Sequence, residues 1–167
     1  MPEKLCFISF ATPCFFGPYG NQLYKLMEWF SYNSSYELYY LLMYQGLTKT
    51  EYTYEEFYSI EIQYDPESKR AVSKDDPVLK KVKFLGGFSK HQDRFVLMSG
   101  LNKILGDSGI QKAMVLSDVD AFVEDEPTVC THFACWYPNH FRPLRPETRI
   151  CLSMFTHIVF LCKSDEE

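Results

Sequence analysis

Short apolar runs of strand length alternate along this chain with stretches whose apolar positions recur at helical spacing. Leu5, Cys6, Phe7, Ile8, Ser9, Phe10 and Ala11 form the first run, which stops at Thr12-Pro13 because proline has no amide to give a sheet ladder. A Gly/Pro-rich loop over 16–20 follows, and Asn21 is placed to cap a helix through Leu23, Leu26, Met27 and Phe30. Asn33-Ser34-Ser35 ends that helix, and the aromatic run 36–43 reads as a second strand. Over 50–64 two periods compete. Phe57, Ile60 and Tyr64 follow a helix, whereas Tyr52, Tyr54 and Phe57 follow an aromatic strand, and a helix is favoured for the middle of the segment.

Residues 65–77 are polar and charge-rich, and the punctuation of Pro66 and Asp75-Asp76-Pro77 marks a surface loop. A short strand is expected over 81–85, a turn at Gly86-Gly87, and a helix over 92–105 with Phe95, Met98, Leu101 and Leu105 on one side, ended by Gly106-Asp107-Ser108-Gly109. Ala113-Met114-Val115-Leu116 then runs directly into Ser117-Asp118-Val119-Asp120-Ala121-Phe122-Val123, so an apolar strand delivers two acids at its carboxyl end. Beyond Pro127 the pattern weakens, with Pro138, Pro143 and Pro146 ahead of a last strand-like run over 150–161. The alternation predicts an α/β fold on a single, doubly wound, mainly parallel sheet, in which ligands collect beyond the carboxyl ends of the strands. One domain over 1–167 is expected, with an α/β core over 1–126 and a divergent or truncated part over 127–167.

Composition narrows this picture in a few ways. At 167 residues and 46 % hydrophobic the chain has ample material for one core, and only the 163–167 tail is expected to be disordered. A formal charge of -5 without a concentrated Lys/Arg surface argues against nucleic acid as a partner. No apolar run approaches the roughly 18 residues that cross a bilayer, and the start is a poor secretory signal, so the expectation is a soluble, cytoplasmic protein, or one of the Golgi lumen if this is a domain cut from a membrane-anchored enzyme. The cysteines lack the spacing of a disulfide-stapled domain and read as reduced thiols. Cys130, His132, Cys135 and His140 lack the paired spacing of a structural zinc site, and a chance cluster is the better reading.

The candidate chemistry is at Asp118-Val119-Asp120. In an extended segment alternate side chains share a face, so both carboxylates point the same way and converge on one ion. Without a cation such acids repel and one tends to hold a proton; a hard divalent ion accepts both and completes its shell with diphosphate oxygens and water. Magnesium and manganese both suit. The plainer reading of the two acids is a helix cap or loop acid after a buried strand.

An apolar strand, Asp-x-Asp and a following apolar pair, Phe122-Val123, resembles the metal motif of GT-A glycosyltransferases, and the order of elements over 4–126 is similar as well. Within that superfamily, 94–123 resembles the histo-blood-group type of galactosyl- and N-acetylgalactosaminyltransferases, with Arg94 and Met98 as the matching residue types at a different spacing. The resemblance implies a Rossmann-like nucleotide-binding fold and metal-dependent transfer of a sugar from a UDP-linked nucleotide-sugar donor to a carbohydrate, lipid or protein acceptor. It implies Asp118 at the ribose or the metal, Asp120 as a ligand of Mn²⁺ or Mg²⁺, Ala11 and Thr12 near base and ribose, and Arg94 near the diphosphate. It also offers His157 as the late metal-binding histidine of some retaining members, although a half-buried core or surface histidine is the ordinary reading. The chain departs from the family after Pro127, where no acceptor-side segment or catalytic carboxylate pair is evident. Two rivals stand beside the transferase: a non-catalytic binding protein on the same fold, and an aspartyl-nucleophile phosphatase or phosphotransferase, which the late position of the motif disfavours.

Overall fold

The computed structural model describes residues 1–9, 12–14, 18–41, 49–67, 69–86, 96–116, 122–123, 132–137 and 157–160. Its main sheet is built from β1 (Lys4–Ser9), β2 (Glu37–Leu41), β3 (Glu51–Tyr52), β4 (Lys83–Leu85), β6 (Lys112–Leu116), β8 (His132–Tyr137) and β9 (His157–Phe160). Two short strands, β5 (Val96–Leu97) and β7 (Phe122–Val123), pair separately, and the described helices are α1 (Pro18–Asn33), α2 (Tyr54–Tyr64) and α3 (Met98–Asp107). The strand order is β3-β4-β2-β1-β6-β8-β9. Every neighbouring pair is parallel except β3 with β4. This is an α/β fold on a mixed, mostly parallel sheet.

Alternation along the strands sorts the two faces. Leu5, Phe7, Leu38, Tyr40 and Phe84 belong to one cluster with Leu23 and Met27 of α1 and Tyr54 and Phe57 of α2. Lys4, Tyr39 and Leu85 instead meet Ile104 and Asp107 of α3 around one cavity. Successive strand residues point to opposite faces, so α1 and α2 cover one side and α3 packs on the other. The core is aromatic where α2 crosses β2 and β4: the Phe57 and Phe84 rings stack at 4.5 Å, with Tyr40 5.6 Å and Tyr54 5.8 Å from Phe84.

Several element limits differ from the sequence expectation, each for a local reason. The first helix starts at Pro18 and carries Asn21 inside it; proline is tolerated in a first turn, where its missing amide would have no partner. The contested 50–64 stretch contains both elements. β3 takes Glu51 and Tyr52, and Thr53 then closes a capping box with Glu56 that starts α2. The expected strand over 81–85 begins as a short 3-10 helix, Leu79–Lys81, preceded by Asp76, whose carboxylate accepts from the amides of Val78 and Leu79 and from Tyr24 of α1. The helix expected from 92 begins at Met98, because Val96 and Leu97 pair with Phe122 and Val123. Gly109 then ends α3 at φ 68°, with the Ile110 amide donating to the Leu105 carbonyl. Gly86 answers to close packing: a Cβ there would lie 2.6 Å from both the Lys49 carbonyl oxygen and Tyr52 Cε2. Past Pro127, where the pattern is weak, β8 and β9 extend the sheet by two parallel strands. No described helix is long and apolar enough to cross a membrane.

The aromatic stack is the expected weak point. Phe84→Ala removes a fully buried ring from contact with three others, and urea unfolding is expected to show a loss of about 3–5 kcal/mol. A loss below about 1 kcal/mol would contradict the packing described.

Candidate functional site

Strand order reverses its direction of growth between β1 and β6. From β1 the chain builds outward through β2 to β4, then returns past β1 to place β6 on its other side. In open α/β sheets the ligand crevice lies beyond the carboxyl ends of the strands at such a reversal. Those ends are level, with Ser9 the register partner of Leu116. The Tyr40 hydroxyl of β2 fastens the end of β1 by donating to the Ser9 carbonyl at 3.3 Å.

Of the residues singled out by sequence, Ala11, Arg94, Asp118 and Asp120 lie outside the described residues, as do Cys130 and His140. The sequence leaves β6 at Leu116, two positions before Asp118. Thr12 is buried at 7 % exposure with its hydroxyl 3.8 Å from the Cys14 sulfur, so its side chain is committed to the interior behind β1. His157 opens β9 in register with Ala134, and through it with Met114 and Phe7. It thus stands at mid-height on the sheet, two strands from β6, and is not brought to the carboxyl edge. Among the described residues no group of three or more His, Cys, Asp or Glu is arranged to hold a metal ion.

A side chain that sequence reasoning missed dominates the described surroundings. Glu61 is fully buried at 0 % exposure, and neither carboxylate oxygen has a hydrogen-bond partner. It lies on the face of α2 that carries Tyr54 and Phe57, seven and four positions earlier, so the aromatic stack turns it inward. Burial pushes its carboxyl up to about 7, helped by the charge of Asp65 and opposed by the Arg70 guanidinium. The Thr12 hydroxyl stands near enough to favour the ionised form without completing a hydrogen bond to either oxygen. The Cys14 thiol, also fully buried, is pushed up to about 11 by burial and then by the facing Glu61 charge. Burial holds the Tyr40 phenol well above its usual range, with Glu61 adding to the effect. The signal for Glu61 was present in sequence: a lone carboxylate on the apolar stripe of a helix.

The 65–71 segment closes this polar interior. The Arg70 guanidinium donates to the Asp65 carbonyl at 2.9 Å, and the Ala71 amide donates to the Cys14 carbonyl at 2.7 Å. A separate cavity of about 360 Å³ opens on the α3 face between Lys4, Tyr39, Glu51, Leu85 and Asp107. Ser9, at the carboxyl end of β1, does not line it. No protein family, curated protein or solved structure matches the chain.

Cys14 is expected to be unreactive. At pH 8 a thiol at about 11 is ionised to about one part in a thousand, and it is sealed from reagent besides. Iodoacetamide followed by peptide mapping should leave Cys14 unmodified in the native protein and alkylate it in urea. Equal labelling in both states would refute the burial.

Proposed function

We propose that this chain is the nucleotide-sugar-binding domain of a metal-dependent glycosyltransferase of the GT-A type. The observation that carries the reading is topological. Numbered in chain order, the six parallel strands run 3-2-1-4-5-6 across the sheet, which is the Rossmann order, and ligands of such sheets bind where the order reverses. Asp118-Val119-Asp120 follows β6, one of the two strands at that reversal, and supplies the acids a cation needs.

On this reading Asp118 and Asp120 would hold Mn²⁺ or Mg²⁺, and the cation supplies charge neutralisation to a departing diphosphate. Arg94 would sit near that diphosphate and Ala11 near base and ribose, both by resemblance to the family. Thr12, whose side chain faces Cys14 and Glu61, contributes through its backbone. The donor is a UDP-linked sugar, and the acceptor is a carbohydrate, lipid or protein hydroxyl.

Thermal unfolding with Mn²⁺ and UDP tests the proposal. The expected result is stabilisation that requires both additives, of about 2.7 kcal/mol when free UDP is a hundredfold above its dissociation constant, and that is lost in Asp120→Ala. Release of UDP from a UDP-sugar then separates a transferase from a non-catalytic binding protein. Stabilisation by Mn²⁺ alone, or an Asp120→Ala variant that responds like the wild type, would overturn the assignment of the metal to this motif.

A further inference from the structure

A carboxyl group with no exposure and no partner for either oxygen is an uncommon feature of a folded interior, because orphaned buried polar atoms cost stability. The cost depends strongly on charge. A neutral carboxylic acid loses far less on leaving water than a carboxylate does, so Glu61 is tolerable where it stands only while it keeps its proton. The titratable and charged groups set against it come from three directions. Cys14 faces it from the stretch after β1, Tyr40 from β2, and Asp65 and Arg70 from the segment that follows α2. The first two are neutral and cannot compensate an anion. Arg70 is the cation at hand, and its guanidinium is engaged with the Asp65 carbonyl.

We infer that Glu61 is a proton-operated latch between α2 and the carboxyl end of β1: uncharged, it lets the 65–71 segment stay fastened to Cys14, and ionised, it loosens that fastening. On ionisation the proton leaves to solvent, and the carboxylate gains stability by drawing Arg70 off Asp65 or by admitting water. Either response moves the segment that carries the Ala71 amide, whose 2.7 Å bond to the Cys14 carbonyl ties it to β1. Fastened or loose, this tie sits on the stretch of chain between β1 and α1. The inference goes beyond the nucleotide-sugar reading and stands without it, since its readouts need no ligand.

The direction with pH follows from the shift. Below the ordinary glutamate value of 4.5 both latched and open forms hold the proton, and the latch has its full strength; between 4.5 and about 7 only the latched form holds it, so strength falls as pH rises; above about 7 it levels off.

Carboxyl-carbon NMR and amide exchange on the full chain between pH 4 and 8.5 test this. The Glu61 carboxyl resonance is expected to titrate near 7. The protection of the Ala71 amide, corrected for intrinsic exchange, should fall about tenfold per pH unit between 4.5 and 7 and then flatten. Glu61→Gln should remove the dependence. Arg70→Gln should carry the plateau to higher pH and Asp65→Asn to lower pH, opposite shifts that loss of packing alone does not produce. If Glu61→Gln fails to fold, the wild-type titration and the opposed pair decide the matter. A Glu61 resonance titrating in the ordinary carboxylate range, Ala71 protection indifferent to it, or both neighbouring substitutions shifting the plateau the same way would overturn the latch.

Discussion

The stacking of Phe57 on Phe84 is the contact from which much of the described structure follows. Parallel to within 13° at 4.5 Å, the two rings pin α2 across β2 and β4, and Tyr40 and Tyr54 complete the cluster. Each buried aromatic removes of the order of 150–250 Å² from water, which at roughly 25 cal/mol per Å² is several kcal/mol before entropy is charged against it. Surface pairs such as Lys25 with Glu28 and Lys103 with Asp107 contribute about 0.5 kcal/mol or less, screened as they are by solvent. Packing therefore decides where α2 lies, and ion pairs decorate the result.

Once α2 is pinned, its helical pitch dictates the rest of that face. Phe57 and Glu61 are one turn apart, so any helix that buries the first on Phe84 turns the second toward the end of β1. The capping box at Thr53 sets where the helix begins and hence which residues fall on that stripe. The 65–82 stretch must then descend to the start of β4, and it does so under restraint: Asp76 bonds to α1 and to the short 3-10 helix at once, and Ala71 bonds to Cys14. A polar segment that reads as a loop is therefore tied down at two points along its length.

The order of elements was legible because strand and helix periods are distinct in the long, uniform segments. Leu5 to Ile8 are buried on both faces of a parallel sheet, and Ala113 and Val115 are buried with Met114 half-buried between them; such strands read as unbroken apolar runs. The 50–64 segment was ambiguous for a physical reason: a two-residue strand and a helix share one aromatic stretch, and the change of period occurs at Thr53. Val96 and Leu97 fall inside the helix that the spacing of Phe95, Met98, Leu101 and Leu105 predicts, and only pairing with Phe122 and Val123 distinguishes them. Among the candidate site residues, Thr12 was legible as the end of the first strand but not as an inward-facing side chain, since that depends on α2 bringing Glu61 beneath it. Glu61 is one of three glutamates in α2, with Glu55 and Glu56 in its first turn. Charge alone gives no warning; its coincidence with the stripe of Tyr54 and Phe57 does.

The two acidic features bear on each other if the crevice takes a diphosphate. An ionised carboxylate buried behind the end of β1 would act through a medium of low dielectric, where charges couple several times more strongly than in water. It would repel an incoming anion and compete with Asp118 and Asp120 for the field of a cation. Neutral, it does neither, and its burial then costs only unmet hydrogen bonds. The same desolvation that raises Glu61 to about 7 thus leaves the carboxyl end of β1 electrically quiet below that pH. On the proposed reading, negative charge is confined to the acids that follow β6, where a metal answers it.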